Sequence, residues 1–154
     1  LQVPKSTSRF ARFTFLQLCG EPRSAADYIA LCKEFHAFFI DDIPHMNLDM
    51  RDWARRFITF VDAAYESKAR LFCTSEVEIM KVFSNTTTWD EMSSSQMRVL
   101  MDDLNMDMSD VGNSSIFSGQ EELFAFARLL SRLSEMQTKP YADMSAQLYH
   151  LNAS

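Results

Sequence analysis

The sequence is short of glycine, cysteine and long apolar runs, and each shortage excludes a class of protein. Only three of its 154 residues are glycine and it has no G-x-x-x-x-G-K-[ST] segment, the loop that holds phosphates in P-loop proteins. The three cysteines have no C-x-x-C spacing, which favours a reduced intracellular setting over a disulfide framework. No apolar run approaches the roughly 20 residues of a membrane-spanning helix, so we expect no transmembrane segment.

The rest of the composition is that of an ordinary globular domain. Apolar residues make up 47% and charged residues 23% of the sequence, which is enough to build one hydrophobic core. The net charge of −6 gives no electrostatic reason to expect binding to nucleic acid. We therefore expect a single domain without a nucleic-acid partner.

The acidic pair Asp41–Asp42 follows an apolar run and is similar to the strand-end acids that hold Mg²⁺ in P-loop enzymes. Without a phosphate-binding loop, we interpret the pair as strand-end solvation or a cap. His36 and His45 flank it, but scattered histidines and separated cysteines do not make a zinc site. A hydrolase motif of the G-x-S-x-G type is absent, and Cys73 lies in an apolar strand. Alone, the chain is expected to be inactive and to hold no cofactor.

The stretch Asp49–Ser75 organises the predicted fold, because it combines a long amphipathic helix with a strand. The helical spacing of its apolar residues predicts a helix that packs deeply against a sheet. Around it, apolar runs and turn residues predict a succession of strands and helices. The predicted strands are Arg9–Phe15, Ala37–Ile40 and Arg70–Thr74. The predicted helices are Ser24–Phe35, the organising helix, which Asn47 or Asp49 can cap and which has Lys68 near its end, and Ser75–Phe83. The sequence thus predicts an α/β fold, with a small, mostly parallel sheet of about three strands packed by amphipathic helices.

Three local patterns make specific predictions. Ser75 with Glu78 predicts a capping box that opens a short helix, and the continuous run Ala37–Ile40 predicts a strand covered on both faces. Ser24 with Asp27 caps the first long helix, whose predicted buried stripe is Ala25, Tyr28, Ile29, Cys32 and Phe35.

The second half of the sequence differs in composition from the α/β core at 1–83. Residues 84–117 are rich in Ser, Thr, Asn, Asp and Met, which predicts a loop-rich insertion with one short helix. A capping box at Ser118 and Glu121 predicts a long packing helix over 118–139, with Leu129 at the edge of its apolar face. Because Pro140 ends that helix, we expect the C-terminal tail at 140–154 to fray. All these parts form one domain.

Two arginine pairs on polar helix faces allow two interpretations. Arg55 with Arg56, and Arg128 with Arg132, have acidic residues within helical reach, so both pairs can be ordinary surface salt bridges: Asp52, Asp62, Glu66, Glu121 and Glu135. Arginine is also the side chain best suited to a phosphate or to a partner's carboxylate. A phenylalanine on the second, otherwise polar face indicates an interface, whose candidate residues are Phe124, Arg128 and Glu135.

Several motifs, in order along nearly the whole chain, resemble one family. They are FTF-x-x-LC-x-x-P at Phe13–Pro22, AADY at Ala25–Tyr28, DIP at Asp42–Pro44, ARRFIT at Ala54–Thr59, LMDDL at Leu100–Leu104 and ELFAF-x-R-x-x-SRL-x-EMQT at Glu122–Thr138. The chain is similar to the C-terminal part of the AFG-one-like ATPases, mitochondrial and ZapE-related members of the AAA+ class. It departs from the family pattern at Ser24, where glycine is usual, and at Leu129, where threonine is common.

The resemblance implies a parent protein that binds and hydrolyses ATP with Mg²⁺, acts on protein substrates in mitochondrial protein quality control, and assembles as a homo-oligomer. In the family the P-loop and the magnesium-binding acids lie upstream, so this chain looks like a C-terminal fragment whose first partner is that ATPase core. In such proteins arginines outside the P-loop reach the γ-phosphate. The candidates for such a sensor or finger are Arg55, Arg56, Arg128 and Arg132.

Two functions remain open on the sequence. One is an accessory module that contributes arginines and interface surface to a nucleotide site built elsewhere; the other is a protein-binding module without a role in nucleotide chemistry. If Phe124 and Arg128 line one surface with Arg55 and Arg56, a contact with the core or a neighbouring subunit is favoured. If the arginines lie apart and are paired locally, the binding-module interpretation gains.

Overall fold

The computed structural model describes residues 2–83 and 120–151. Its centre is a four-stranded sheet in the order β1-β2-β3-β4, in which β1 is antiparallel to β2 and the other neighbours are parallel. The strands are β1 Lys5–Ser6, β2 Phe10–Thr14, β3 Ala37–Ile43 and β4 Arg70–Ser75. The predicted α/β fold with a mostly parallel sheet is confirmed. The additional strand β1, which has two residues, is too short to leave a periodic pattern.

Five helices accompany the sheet within the described residues. They are α1 Phe15–Cys19, α2 Ala25–Glu34, α3 Arg51–Glu66, α4 Gln120–Met136 and α5 Lys139–Leu151, with 3₁₀ turns at Leu48–Met50 and Ile79–Lys81. In the described part of the chain, no helix is long and apolar enough to cross a membrane.

Helix α3 carries the centre of the hydrophobic core. The helical spacing predicted for its apolar residues is confirmed by five buried side chains: Phe57, Ile58, Phe60, Val61 and Ala64. Ala54 is also buried although the predicted apolar arc did not include it, whereas Trp53 and Tyr65 of that arc are half-buried. Phe60 meets Phe38 of β3 edge to face, with ring centroids 5.3 Å apart, and Phe57 lies 5.8 Å from Phe15. Full burial of one such side chain contributes about 1.5–3 kcal/mol, so this stripe fixes α3 against one face of the sheet.

The capping box predicted for α2 is present, but its buried stripe differs. The Ser24 backbone N–H donates to the Asp27 carboxylate over 2.8 Å, and the Ser24 hydroxyl accepts from the Asp27 backbone N–H. Tyr28 is buried and donates its hydroxyl to the Leu18 carbonyl over 2.9 Å, which turns Leu31 rather than Ile29 towards the core. The prediction that Ala25 and Ile29 are buried is therefore wrong.

The second predicted capping box, at Ser75 and Glu78, is wrong. Ser75 is the last residue of β4, and its hydroxyl donates to the Val77 carbonyl instead of capping a helix. Glu78 precedes the 3₁₀ turn without a side-chain cap. Strand β3 also runs further than predicted, to Ile43, through an irregularity in its pairing with β4.

The described part of the predicted C-terminal tail, up to residue 151, belongs to helix α5 instead of fraying. Pro140 lies in the first turn of α5, where its missing N–H costs nothing, and the Thr138 hydroxyl accepts from the Tyr141 N–H over 3.4 Å. Tyr141 and Ser145 are buried, and their hydroxyls donate to the carbonyls of Ala69 and Lys68 over 2.7 Å each. Helix α5 is thereby bound to the turn between α3 and β4.

Helix α4 packs on α3, and the side chains that are buried among its described positions are Phe126, Leu129, Leu130 and Leu133. Leu129, predicted at the edge of the apolar face, is completely buried. The predicted insertion at 84–117 and the cap at Ser118 lie outside the described residues.

Candidate functional site: arginines between two helices

The two arginines of ARRFIT have separate positions on α3. Arg56 is partly buried, and its Nη1 donates to the carbonyl of Cys19 over 3.1 Å, at the end of α1. A carbonyl at a helix C-terminus has no partner within its helix, so this bond joins α1 to α3 and satisfies a buried acceptor. Arg55 is half exposed and lies 3.8 Å from Asp52, a surface pair that contributes little.

The other two candidate arginines converge on one carboxylate of α3. Arg128 donates to Asp62 through Nη2 over 2.9 Å and through Nε over 3.4 Å. Arg132 donates through Nη1 to the same Asp62 carboxylate and through Nη2 to Glu66 over 3.0 Å. The side chain of Arg128 is 49% exposed and that of Arg132 is 19% exposed. Arg132 is thus the inner anchor of this cluster, and Arg128 is its outer, accessible member.

Tyr65 connects the cluster to the C-terminal helices. The guanidinium of Arg132 lies 4.8 Å from the centre of its ring, and its hydroxyl donates to Glu135 over 2.6 Å. This hydrogen bond is the main reason why the pKa of Tyr65 is raised above the ordinary tyrosine value. The ring also stacks on Tyr141 of α5 with centroids 6.1 Å apart. Glu135, a predicted interface residue, therefore accepts a hydrogen bond from Tyr65.

A groove opens beside the arginine cluster. Its volume is about 510 Å³, and it lies between α2, α3 and α4. It has an apolar wall and charged rim, formed by Ala25, Ile29, Thr59, Asp62, Ala63, Glu66, Ser67, Arg128 and Arg132. Ile29 is 48% exposed here, which is why it does not belong to the core. Phe124, one turn before Arg128 on α4, is half-buried.

The four candidate arginines therefore do not form one surface. Arg56 is directed to α1, whereas Arg128 and Arg132 bind α3. Sequence reasoning paired these arginines with acids of their own helix and missed the partners across the helix interface. A signal was present, because Arg128 and Arg132 are four residues apart, as are Asp62 and Glu66, so each pair lies on one face of its own helix and the two pairs are complementary in charge. A role as sensor or finger stays a prediction for each arginine.

The acidic pair at the end of β3 is used within the sheet. Asp41 accepts from Arg12 of β2 over 2.6 Å, a contact that also raises the pKa of the Arg12 guanidinium. Asp42 is exposed, has a left-handed φ of 61°, and its N–H donates to the Thr74 hydroxyl over 2.9 Å. Among the described residues, no group of three His, Cys, Asp or Glu side chains is placed to hold a metal ion.

Comparison with known proteins agrees with the resemblance in the sequence. The family described as AFG1-like ATPase matches residues 1–104. An uncharacterized protein of Schizosaccharomyces pombe is 40% identical over 139 residues, which cover 90% of this chain and 29% of that protein. Lactation elevated protein 1 homolog B of Danio rerio is 31% identical over 90% of this chain and 27% of its own length. The cell division protein ZapE of Escherichia coli K12 is 32% identical over 83% and 25%.

No solved structure matches the chain. The α/β fold and these relatives define a protein of the AAA+ class. More specifically, the chain belongs to the AFG1-like ATPase family. It spans between 25% and 29% of the length of the curated relatives that it matches.

Proposed function

We propose that this chain is a C-terminal accessory module of an AAA+ protein that hydrolyses ATP with Mg²⁺ in mitochondrial protein quality control. The module contributes interface surface and an arginine to a nucleotide site built by the rest of the protein. Membership of the AFG1-like ATPase family supports this proposal, as does the absence of a P-loop sequence from a chain that matches about a quarter of its relatives' length. The eukaryotic relatives are compatible with a mitochondrial protein.

The position of Arg128 is the observation that carries the proposal. Its guanidinium is half exposed at the rim of a groove, and the Asp62 carboxylate holds it over 2.9 Å. Arg132 is more buried and also binds Glu66, so it can keep α3 and α4 together when Arg128 leaves Asp62. An incoming phosphate is a stronger ligand for a guanidinium than a solvated carboxylate pair, because it combines more charge with bidentate geometry.

The test is substitution of Arg128 in the full-length protein that contains this chain. We expect Arg128→Ala to lower ATP turnover by about 100-fold, the usual cost of one charge-stabilising donor, with much less change in nucleotide affinity measured by calorimetry. Arg128→Lys should recover only part of the activity, because lysine cannot bind in a bidentate manner. Lys139→Ala, which removes an exposed cation of α5, is the matched control. Wild-type turnover in Arg128→Ala would exclude this arginine.

The four candidate arginines lie apart and are paired locally, which favours a second candidate function, a protein-binding module that engages substrates, a protease or an adaptor. The groove is the candidate site of this module. Its apolar wall includes Ile29, which is 48% exposed, and its rim carries both signs of charge. Such a groove suits one amphipathic helix, whose apolar face would cover the wall. If this function is the correct one, Ile29→Ser should abolish the stimulation of ATP turnover by an unfolded protein and leave basal turnover unchanged. Arg128→Ala would then change basal turnover little.

A further inference from the structure

The face of the sheet opposite α3 carries a row of phenylalanines from three neighbouring strands. Phe39 of β3 and Phe72 of β4 are in register and stack with ring centroids 4.8 Å apart. Phe10 of β2 lies 6.4 Å from Phe39 on the other side. Phe10 and Phe72 are each 46% exposed. We call these three residues the phenylalanine face.

The phenylalanine face is separate from the hydrophobic core. The core takes the alternate residues of the same strands, among them Ala11, Phe13, Phe38 and Ile40. Parallel sheets in α/β proteins are normally covered on both faces, and the uninterrupted apolar run Ala37–Ile40 is typical of a strand covered in this way. Contiguous exposed aromatic side chains mark a contact surface, whereas scattered ones do not. Within the described residues, Phe10 and Phe72 are thus exposed on a sheet face whose sequence is typical of a covered one.

The charges beside the phenylalanine face define the chemistry of the partner. Arg12 is in register with Phe39, and its guanidinium is already bound to Asp41 over 2.6 Å. A groove of about 260 Å³, lined in part by Lys5, Phe10 and Phe39, extends the apolar surface towards β1. Nucleic acids need a cationic surface, and both this internal ion pair and the net charge of −6 argue against them. An apolar protein surface fits better.

We propose that the phenylalanine face docks an apolar segment of the ATPase core of the same polypeptide. This inference rests on the proposed function and names the surface by which the module is attached. The length of the matched relatives identifies the segment that docks there. Each relative is more than three times as long as the region that it shares with this chain, so most of such a protein is available to cover the phenylalanine face. Docking there leaves the arginine cluster of α3 and α4, on other elements of the fold, accessible.

The test is site-specific photo-crosslinking in the full-length protein. A benzophenone amino acid replaces Phe72, whose exposure tolerates a larger aromatic group, and the crosslinked peptides are identified by mass spectrometry. We expect an intramolecular adduct to a peptide of the ATPase core. The control places the same amino acid at Leu16 of α1, which is 55% exposed and lies outside the phenylalanine face; it should give at least tenfold less of that adduct. The same replacement at Phe10 provides a second probe if the first variant does not fold.

Each other outcome overturns the inference. An adduct to a second copy of the phenylalanine face would indicate a dimer, an adduct to residues 84–119 would indicate that the chain covers itself, and an adduct to nucleic acid would indicate a different partner. Absence of any adduct at positions 72 and 10 in folded protein would show an uncovered face. The proposed function fails independently: an adduct to the core together with unchanged turnover in Arg128→Ala would retain the docking surface and remove the arginine role.

Discussion

Arg128 of α4 donates to the Asp62 carboxylate of α3 over 2.9 Å, although 66 positions separate the two residues in the sequence. Asp62 also accepts from Arg132, so one carboxylate holds two guanidinium groups. The two arginines differ in burial, with 49% of the Arg128 side chain and 19% of the Arg132 side chain exposed. This difference separates Arg132, which holds the helices together, from Arg128, which is bound to Asp62 but is accessible to a ligand or a partner surface.

Arg132→Ala should therefore destabilise the fold more than Arg128→Ala. Loss of Arg132 removes hydrogen bonds to Asp62 and Glu66 and a contact with the Tyr65 ring, at a cost of about 1–3 kcal/mol. Loss of Arg128 removes a more exposed pair and should cost less than about 1 kcal/mol. The free energies of unfolding are measured by urea denaturation at low and high salt. Equal losses of unfolding free energy in the two variants would contradict the conclusion that Arg132, rather than Arg128, holds the helices together.

The hydroxyls of Tyr141 and Ser145, which bind α5 to the α3–β4 turn, should each contribute measurably to the free energy of unfolding. Tyr141→Phe leaves the Ala69 carbonyl without its donor, and Ser145→Ala does the same to Lys68. Because both side chains are buried, each change should lower the free energy of unfolding by about 1–3 kcal/mol in chemical denaturation. Ser134→Ala, at an exposed position of α4, is the control and should be neutral. Neutral effects at both buried hydroxyls would mean that α5 is not held in this way.

The capping box of α2 gives a prediction for pH. The pKa of Asp27 is lowered, first by the hydrogen bond from the Ser24 backbone and then by the Ser24 hydroxyl. Because the pKa of Asp27 is lower in the folded state, the stabilisation is complete above the unfolded-state value of about 3.9 and is lost as pH falls from there through the lower folded-state value. Thermal denaturation should show a larger difference between wild type and Asp27→Asn at pH 7 than at pH 3.

Two controls accompany the Asp27 experiment. An NMR titration of the native protein should place the Asp27 carboxyl below the ordinary aspartate range. Ser24→Ala removes the capping hydroxyl at any pH and should cost about 1 kcal/mol. A difference between wild type and Asp27→Asn that is the same at pH 3 and pH 7 would show that the charge of Asp27 is not what stabilises the helix.

The elements that could be predicted from the sequence are those whose signals are local. The apolar stripe of α3 follows from a period of 3.6 residues, and the Ser24–Asp27 cap follows from residues three positions apart. Pro140 shows the limit of a local signal. A proline both follows helices and occupies their first turn, and only the position of Thr138 as the preceding cap decides between the two.

The pairing of the candidate site could not be predicted, because it depends on how α4 packs against α3. Acids on the same helix as Arg128 and Arg132 were the nearest partners in sequence, but Asp62 and Glu66 are the partners in space. The same limitation applies to Ile29. The hydrogen bond from the Tyr28 hydroxyl to the Leu18 carbonyl orients α2 so that Ile29 is exposed. Helical spacing restricts which residues share a face, and tertiary packing then selects which face is buried.

Helices α4 and α5 contact α3 and the turn between α3 and β4, and so join residues 120–151 to residues 2–83. The protein is therefore suited to fragment complementation, in which residues 1–119 and 120–154 are produced as separate polypeptides and reassemble on mixing. Leu129 and Tyr141 would supply the apolar part of that association, and Asp62 with Arg132 would make it weaker at high ionic strength. Association of the two polypeptides would then be detected as recovery of the folded domain.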